Sequence, residues 1–216
     1  MEQFINILLI LLVLLNFRLL GTSRLIACIQ SIAIQALLFG ILSFLYNRTD
    51  SALVVFSLII ATTIKAGLIP WFIRRTTIRV GARRELEPFV NYAFSLLAGT
   101  VLLGISLLIT FQLKINLDKG SSFYAPIAFF TIMTGFFLII ARKKAVTQVL
   151  GYLALENGIY AFGMSFPLQE PIIIEMGILL DVFAAIFIMG ITIYHINREF
   201  DHIDIDRISA VRGGGL

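Results

Sequence analysis

One cysteine, Cys28, and two histidines stand among 216 residues, and that scarcity removes whole classes of chemistry. A lone thiol forms no internal disulfide. Without a CxxC pair or spaced His and Cys ligands, the expectation is a chain with no zinc, haem or iron–sulfur centre of its own. Charge is also short: Asp, Glu, Lys and Arg supply 14% of residues while 59% are hydrophobic, and the mean hydropathy is +0.96. That balance is too apolar for a water-soluble domain of this size, so the expected solvent is lipid. No Gly/Ser linker or sizeable polar domain breaks the apolar runs, and no nucleophile–base pair suggests an intramembrane enzyme.

What is present is a series of apolar stretches long enough to cross hydrocarbon, which takes about 20 residues per helix. They fall at 2–20, 25–46, 51–73, 89–113, 123–141, 145–166 and 172–195. The first resembles a secretory leader, but it carries Glu2 and no basic n-region, so it reads as an uncleaved helix. The expected fold is an all-α integral membrane protein of about seven transmembrane helices.

Orientation follows from the Lys and Arg residues, which cytoplasmic loops hold in excess. With the amino terminus outside, thirteen of the 17 basic residues fall on inner segments and three on outer ones. The remaining one, Lys65, lies inside the third span. The carboxyl terminus is then cytoplasmic. The net charge of +4 marks topology and no nucleic-acid surface, because the basic residues gather at span ends. The chain divides into a four-helix extension, 1–114, with a basic cytoplasmic loop at 74–88, and a three-helix module, 115–216, with a cytoplasmic tail at 196–216. The basic loop suits anionic lipid or a peripheral partner, and the mixed-charge tail suits packing on a cytoplasmic partner.

Three ionisable residues fall within spans: Lys65, Glu156 and Asp181. A charge at a helix centre costs about 2.5 to 3.5 kcal/mol on insertion scales, so such residues are expected to be paired and functional. Glu156 and Asp181 both come out near the midplane on adjacent helices. Residues four apart share a helix face, so Gln148, Tyr152, Glu156 and Tyr160 form a polar stripe with Asn157 beside it. Such a stripe can hold water and pass a proton, or it can simply glue helices together. Lys65 precedes Pro70, which interrupts the helix there; its ammonium either serves an ion pathway or snorkels to the inner edge. Glu175 lies near the outer end of the last span and is a weaker candidate. His195 and His202, without a third ligand, read as solvated residues.

The basic triplet "RKK", the following "LENGIYAFG" and the tail "IDIDRISAVRG" together resemble the small K-type membrane subunit of respiratory complex I over 123–216. With four more helices in front, the whole chain resembles component E of hydrogenase-4-type membrane hydrogenases. It departs from the K-type pattern in two ways. Glu156 lies about one turn further from the basic triplet, and Asp181 stands where a glutamate is usual.

The resemblance implies a non-catalytic membrane-arm subunit of an energy-converting oxidoreductase complex in a bacterial or archaeal cytoplasmic membrane. Its partners would be antiporter-like and quinone-site-like membrane subunits and a peripheral iron–sulfur or nickel–iron arm. In that role Glu156, Asp181 and Lys65 would carry coupled proton or sodium translocation. The rival expectations are a stand-alone secondary ion transporter, which usually shows an internal repeat that this chain lacks, and a purely structural assembly subunit.

Overall fold

The computed structural model describes residues 2–46, 52–79, 89–112 and 122–163. Its elements are helices: α1 (Glu2–Gly21), α2 (Leu25–Tyr46), α3 (Ala52–Thr63), a π-helical turn (Ile64–Leu68), α4 (Ile69–Arg79), α5 (Tyr92–Gln112), α6 (Tyr124–Ala141) and α7 (Ala145–Gly163). Four of them, α1, α2, α5 and α6, are long and apolar enough to cross a membrane. α7 carries Gln148, Glu156 and Asn157 within its length, and the rod at 52–79 is divided by the π turn, so neither reads as a uniform apolar span. The expected span 172–195, with Glu175, Asp181 and His195, and the tail with His202 lie outside the described residues.

The helix ends meet at one basic end of the bundle. Phe89 N–H donates to Ala141 O at 3.1 Å, which brings the start of α5 to the close of α6. Arg142 has extended backbone, φ −110° and ψ 142°, and stops α6 there. The chain re-enters a helix when Gln148 N–H donates back to Lys144 O at 3.1 Å. The first residues of the basic loop do not leave the helix: Arg74, Arg75 and Arg79 continue the rod beyond the apolar run.

Two apolar clusters fill the interior. The first, near the basic end, joins Leu19 and Leu20 of α1, Cys28, Ile29 and Ile32 of α2 and Leu150, Leu153 and Ala154 of α7. The second joins Leu8, Leu9 and Leu12 of α1, Leu38, Phe39 and Leu42 of α2 and Ala161 of α7. The outer surface is equally apolar: Phe94, Leu97, Val101, Leu108 and Phe111 of α5 are all exposed. Such a face is costly against water and costs nothing against hydrocarbon tails.

The tightest packing in the bundle is between α6 and α7, and it depends on glycine. A Cβ on Gly135 would stand 2.5 Å from Leu155 N, and one on Gly158 would stand 2.6 Å from Ile132 N. Both obstacles are backbone, so neither can rotate away. Gly151 and Gly158, two turns apart, put the same smooth face of α7 against α6 and fix its rotation. Gly135→Val is therefore expected to force the helices apart at a cost of about 1 to 3 kcal/mol or more, read as a lower unfolding midpoint in detergent.

Candidate functional site

Pro70 shapes the first half of the site. It has no N–H to give the carbonyl four residues back, and its ring would crowd that carbonyl in an α-helix. The helix widens instead: Ile69 N–H donates to Ile64 O, five residues back, and one π-helical turn spans Ile64–Leu68. Such turns re-aim the side chains they carry. Lys65 sits in this turn, and its Nζ lies 2.8 Å from Glu156 Oε1 on α7.

The second half is α7. Glu156 is eleven residues beyond Ala145, a rise of about 16 Å from the basic end, and it is 1% exposed. The gap at Gly158 and Gly151 lets α6 cover one side of the carboxylate's helix and α2 packs on another, while Lys65 reaches the carboxylate from the π turn. Tyr160, one turn further, presents its ring to the ammonium, with Lys65 Nζ 5.2 Å from the ring centre. Its hydroxyl lies 3.5 Å from Ser43 Oγ on α2. An opposite charge and an aromatic face thus both stabilise the lysine at depth. The lysine stem runs to α7 and not to the basic end, so pairing and not snorkelling describes it.

The stripe expected along α7 is divided between three tasks. Glu156 and Tyr160 gather around Lys65. Tyr152 packs against the apolar cluster near the basic end. Gln148 Nε2 donates to Arg142 O at 3.1 Å and ties off the α6–α7 turn. Asn157 is buried beside Glu156. Among the described residues no three His, Cys, Asp or Glu side chains gather as a metal site.

Two features escape a reading of charge and hydropathy. The first is Arg142, which sequence places in a basic triplet at a span end. It is 1% exposed, donates from Nη2 to Leu20 O at 2.6 Å and stacks 4.4 Å over the Tyr92 ring. It caps the carbonyl end of α1, where a cation is favoured, and pins α1 and α5 to α6. The second is an amide chain across the bundle. Gln35 Nε2 donates to Asn16 Oδ1 at 3.0 Å, and Asn16 Nδ2 donates to Thr131 Oγ1 at 2.9 Å. All three residues are 0% exposed. Their signal in sequence is two large amides placed well inside successive apolar spans.

No family model and no solved structure matches the chain. It is 33% identical over 165 residues to the uncharacterized protein Rv0085 of Mycobacterium tuberculosis, covering 76% of this chain and 74% of that one. The chain belongs to the Rv0085 family. A more distant similarity links this member of the family to hydrogenase-4 component E of Escherichia coli K12 and of Shigella flexneri. There the identity is 23% over 100 residues, 46% of this chain and 46% of each component E. The similarity of this chain to component E is therefore a distant one, over less than half of either protein.

Proposed function

We propose that this chain is a membrane-arm subunit of a redox-driven, complex I-related hydrogenase complex, and that Glu156 takes up and releases protons coupled to the redox reaction. The observation that carries the reading is the Lys65–Glu156 contact of 2.8 Å between two side chains only 11% and 2% exposed. A buried ion pair contributes little net stability over well-packed apolar residues of the same volume, so stability alone does not account for it. Function does. A carboxylate beside an ammonium holds its charge, and the same carboxylate separated from it in an apolar surrounding favours the neutral, protonated form. Movement between the two arrangements loads and unloads one proton.

Two alternating states are required because a proton gains or loses about 2.3 kcal/mol per 100 mV, and a continuous wire would leak. The π turn that carries Lys65 is assigned the moving part, since its backbone departs from α-helical geometry beside Pro70 and such turns often mark functional sites. Asp181, within the expected span 172–195, is assigned the second carboxylate of the relay. The redox chemistry belongs to other chains. Seven spans with the amino terminus outside agree with the thirteen-to-three division of basic residues, and the distant similarity to component E supports a bacterial or archaeal cytoplasmic membrane as their location.

Gentle purification of a tagged chain from its native membrane tests the assignment. The expected result is co-purification of other membrane subunits and an iron–sulfur or nickel–iron arm. Recovery of the chain alone, active in ion flux after reconstitution, would make it a solitary carrier instead.

A further inference from the structure

Between the two apolar clusters lies a layer of a different composition. On α1 the interval between Leu12 and Leu19 holds Asn16, and on α2 the interval between Ile32 and Leu38 holds Gln35. On α6 the interval between Ala128 and Leu138 holds Thr131 and Thr134, and on α7 that between Ala154 and Ala161 holds Glu156 and Asn157. All six side chains are buried. Four helices thus place polar groups at one level, with apolar packing on either side of it.

The hydrogen bonds across this layer have a fixed direction. Thr131 spends its hydroxyl proton on Ile127 O at 2.9 Å within its own helix, so towards Asn16 it accepts. Asn16 must then present Nδ2 to Thr131 and Oδ1 to Gln35, and Gln35 must present Nε2 to Asn16. The chain therefore ends with Gln35 Oε1 as an open acceptor, which is buried and has no hydrogen-bond partner among the described residues. Two further buried atoms in the layer share that condition: the donor Asn157 Nδ2 and the hydroxyl Thr134 Oγ1. Buried polar atoms are almost always satisfied, by protein or by ordered water.

We propose that this layer is a binding site for ordered water, held by Gln35 Oε1, Asn157 Nδ2 and Thr134 Oγ1, which links Glu156 to the Asn16–Thr131 side of the bundle. The donor and acceptor set selects the ligand. An anion would face the Gln35 carbonyl oxygen, and a cation would face the Asn157 amide protons. A small neutral molecule that both donates and accepts satisfies all three, and water does so with the 2 to 4 partners it needs, roughly. Glu156 then has a hydrated layer beside it, so a proton leaving the carboxylate has somewhere to go. The transport part of this proposal rests on the proposed role of Glu156; the water site itself does not.

Two measurements on the intact complex test it. A high-resolution density map is expected to show water within hydrogen-bonding distance of both Gln35 Oε1 and Asn157 Nδ2; close apolar packing against those atoms with no water density overturns the site. In membrane vesicles, Gln35→Leu is expected to lower coupled proton uptake about tenfold, the scale of one lost buried hydrogen bond, with Glu156→Gln assayed in parallel. Normal uptake by Gln35→Leu beside a null Glu156→Gln overturns the link and leaves the role of Glu156 standing. Normal uptake by both removes the role of Glu156, and the map then decides the water site by itself.

Discussion

Glu156→Gln is expected to abolish coupled proton movement in membrane vesicles while the complex still assembles and the redox half-reaction of its peripheral arm still runs. Glutamine keeps the shape of the acid and one acceptor oxygen at this position but cannot ionise. The contact with Lys65 at 2.8 Å then becomes an ammonium–amide hydrogen bond that neither gains nor loses a proton. Because an amide at this depth cannot hold the proton that the acid holds, and bulk water does not reach it as a substitute, the effect should be a loss of transport and not a reduced affinity. A Glu156→Asp variant separates chemistry from reach. It keeps the acid but shortens the arm by one methylene, so partial transport is expected from it and none from the amide. Transport at the normal rate by Glu156→Gln would exclude Glu156 from the pathway.

The second large effect is on stability and has a characteristic pattern. Lys65→Met removes the ammonium and leaves a carboxylate 1% exposed without its counter-ion, at a cost of about 3 to 5 kcal/mol. Glu156→Leu does the same to the lysine, whose ammonium then loses its carboxylate partner while the Tyr160 ring stays in place. The double variant Lys65→Met/Glu156→Leu exposes no lone charge and fills the space with apolar side chains, so it is expected to regain most of the loss. The test is the unfolding midpoint of the purified complex for the four members of the cycle. Additive losses would mean that the two side chains do not interact in the folded protein.

Both expectations rely on a contact that sequence could suggest only in halves. Glu156 and Lys65 are each legible as ionisable groups in apolar helices, and Pro70 announces a disturbance in the helix beside the lysine. That they meet is a matter of which helices are neighbours, and this is set by features without charge. Gly135, Gly151 and Gly158 bring α6 so close to α7 that only one rotation of α7 fits, and that rotation turns Glu156 towards the π turn and not towards lipid. Glycine spacing of this kind is visible in sequence, but it does not say which partner helix uses it.

Arg142 illustrates the opposite limit. Counting basic residues places it correctly at a helix end, alongside Lys143 and Lys144, because the rule depends only on position along the chain. Whether the side chain points out to water or in to a helix terminus depends on the extended backbone at that residue and on the carbonyl of Leu20 waiting opposite. The amide chain from Gln35 through Asn16 to Thr131 was equally hidden, since uncharged side chains barely alter the apolar average of their spans. The helices themselves were legible to within a few residues, from Glu2–Gly21 through Ala145–Gly163. The exception is the third, where the rod runs on through Arg74 and Arg75 to Arg79 because nothing between Trp71 and Arg79 breaks a helix.

The most direct measurement of the central claim is redox-triggered infrared difference spectroscopy on the purified complex. If Glu156 changes protonation during turnover, a carboxylic acid C=O band will appear or vanish with the redox step, shift in heavy water, and be missing from the Glu156→Gln complex. A difference spectrum in which the wild type and Glu156→Gln show the same carboxyl bands would mean that Glu156 keeps one protonation state throughout, and the account given for the Lys65–Glu156 pair would be wrong.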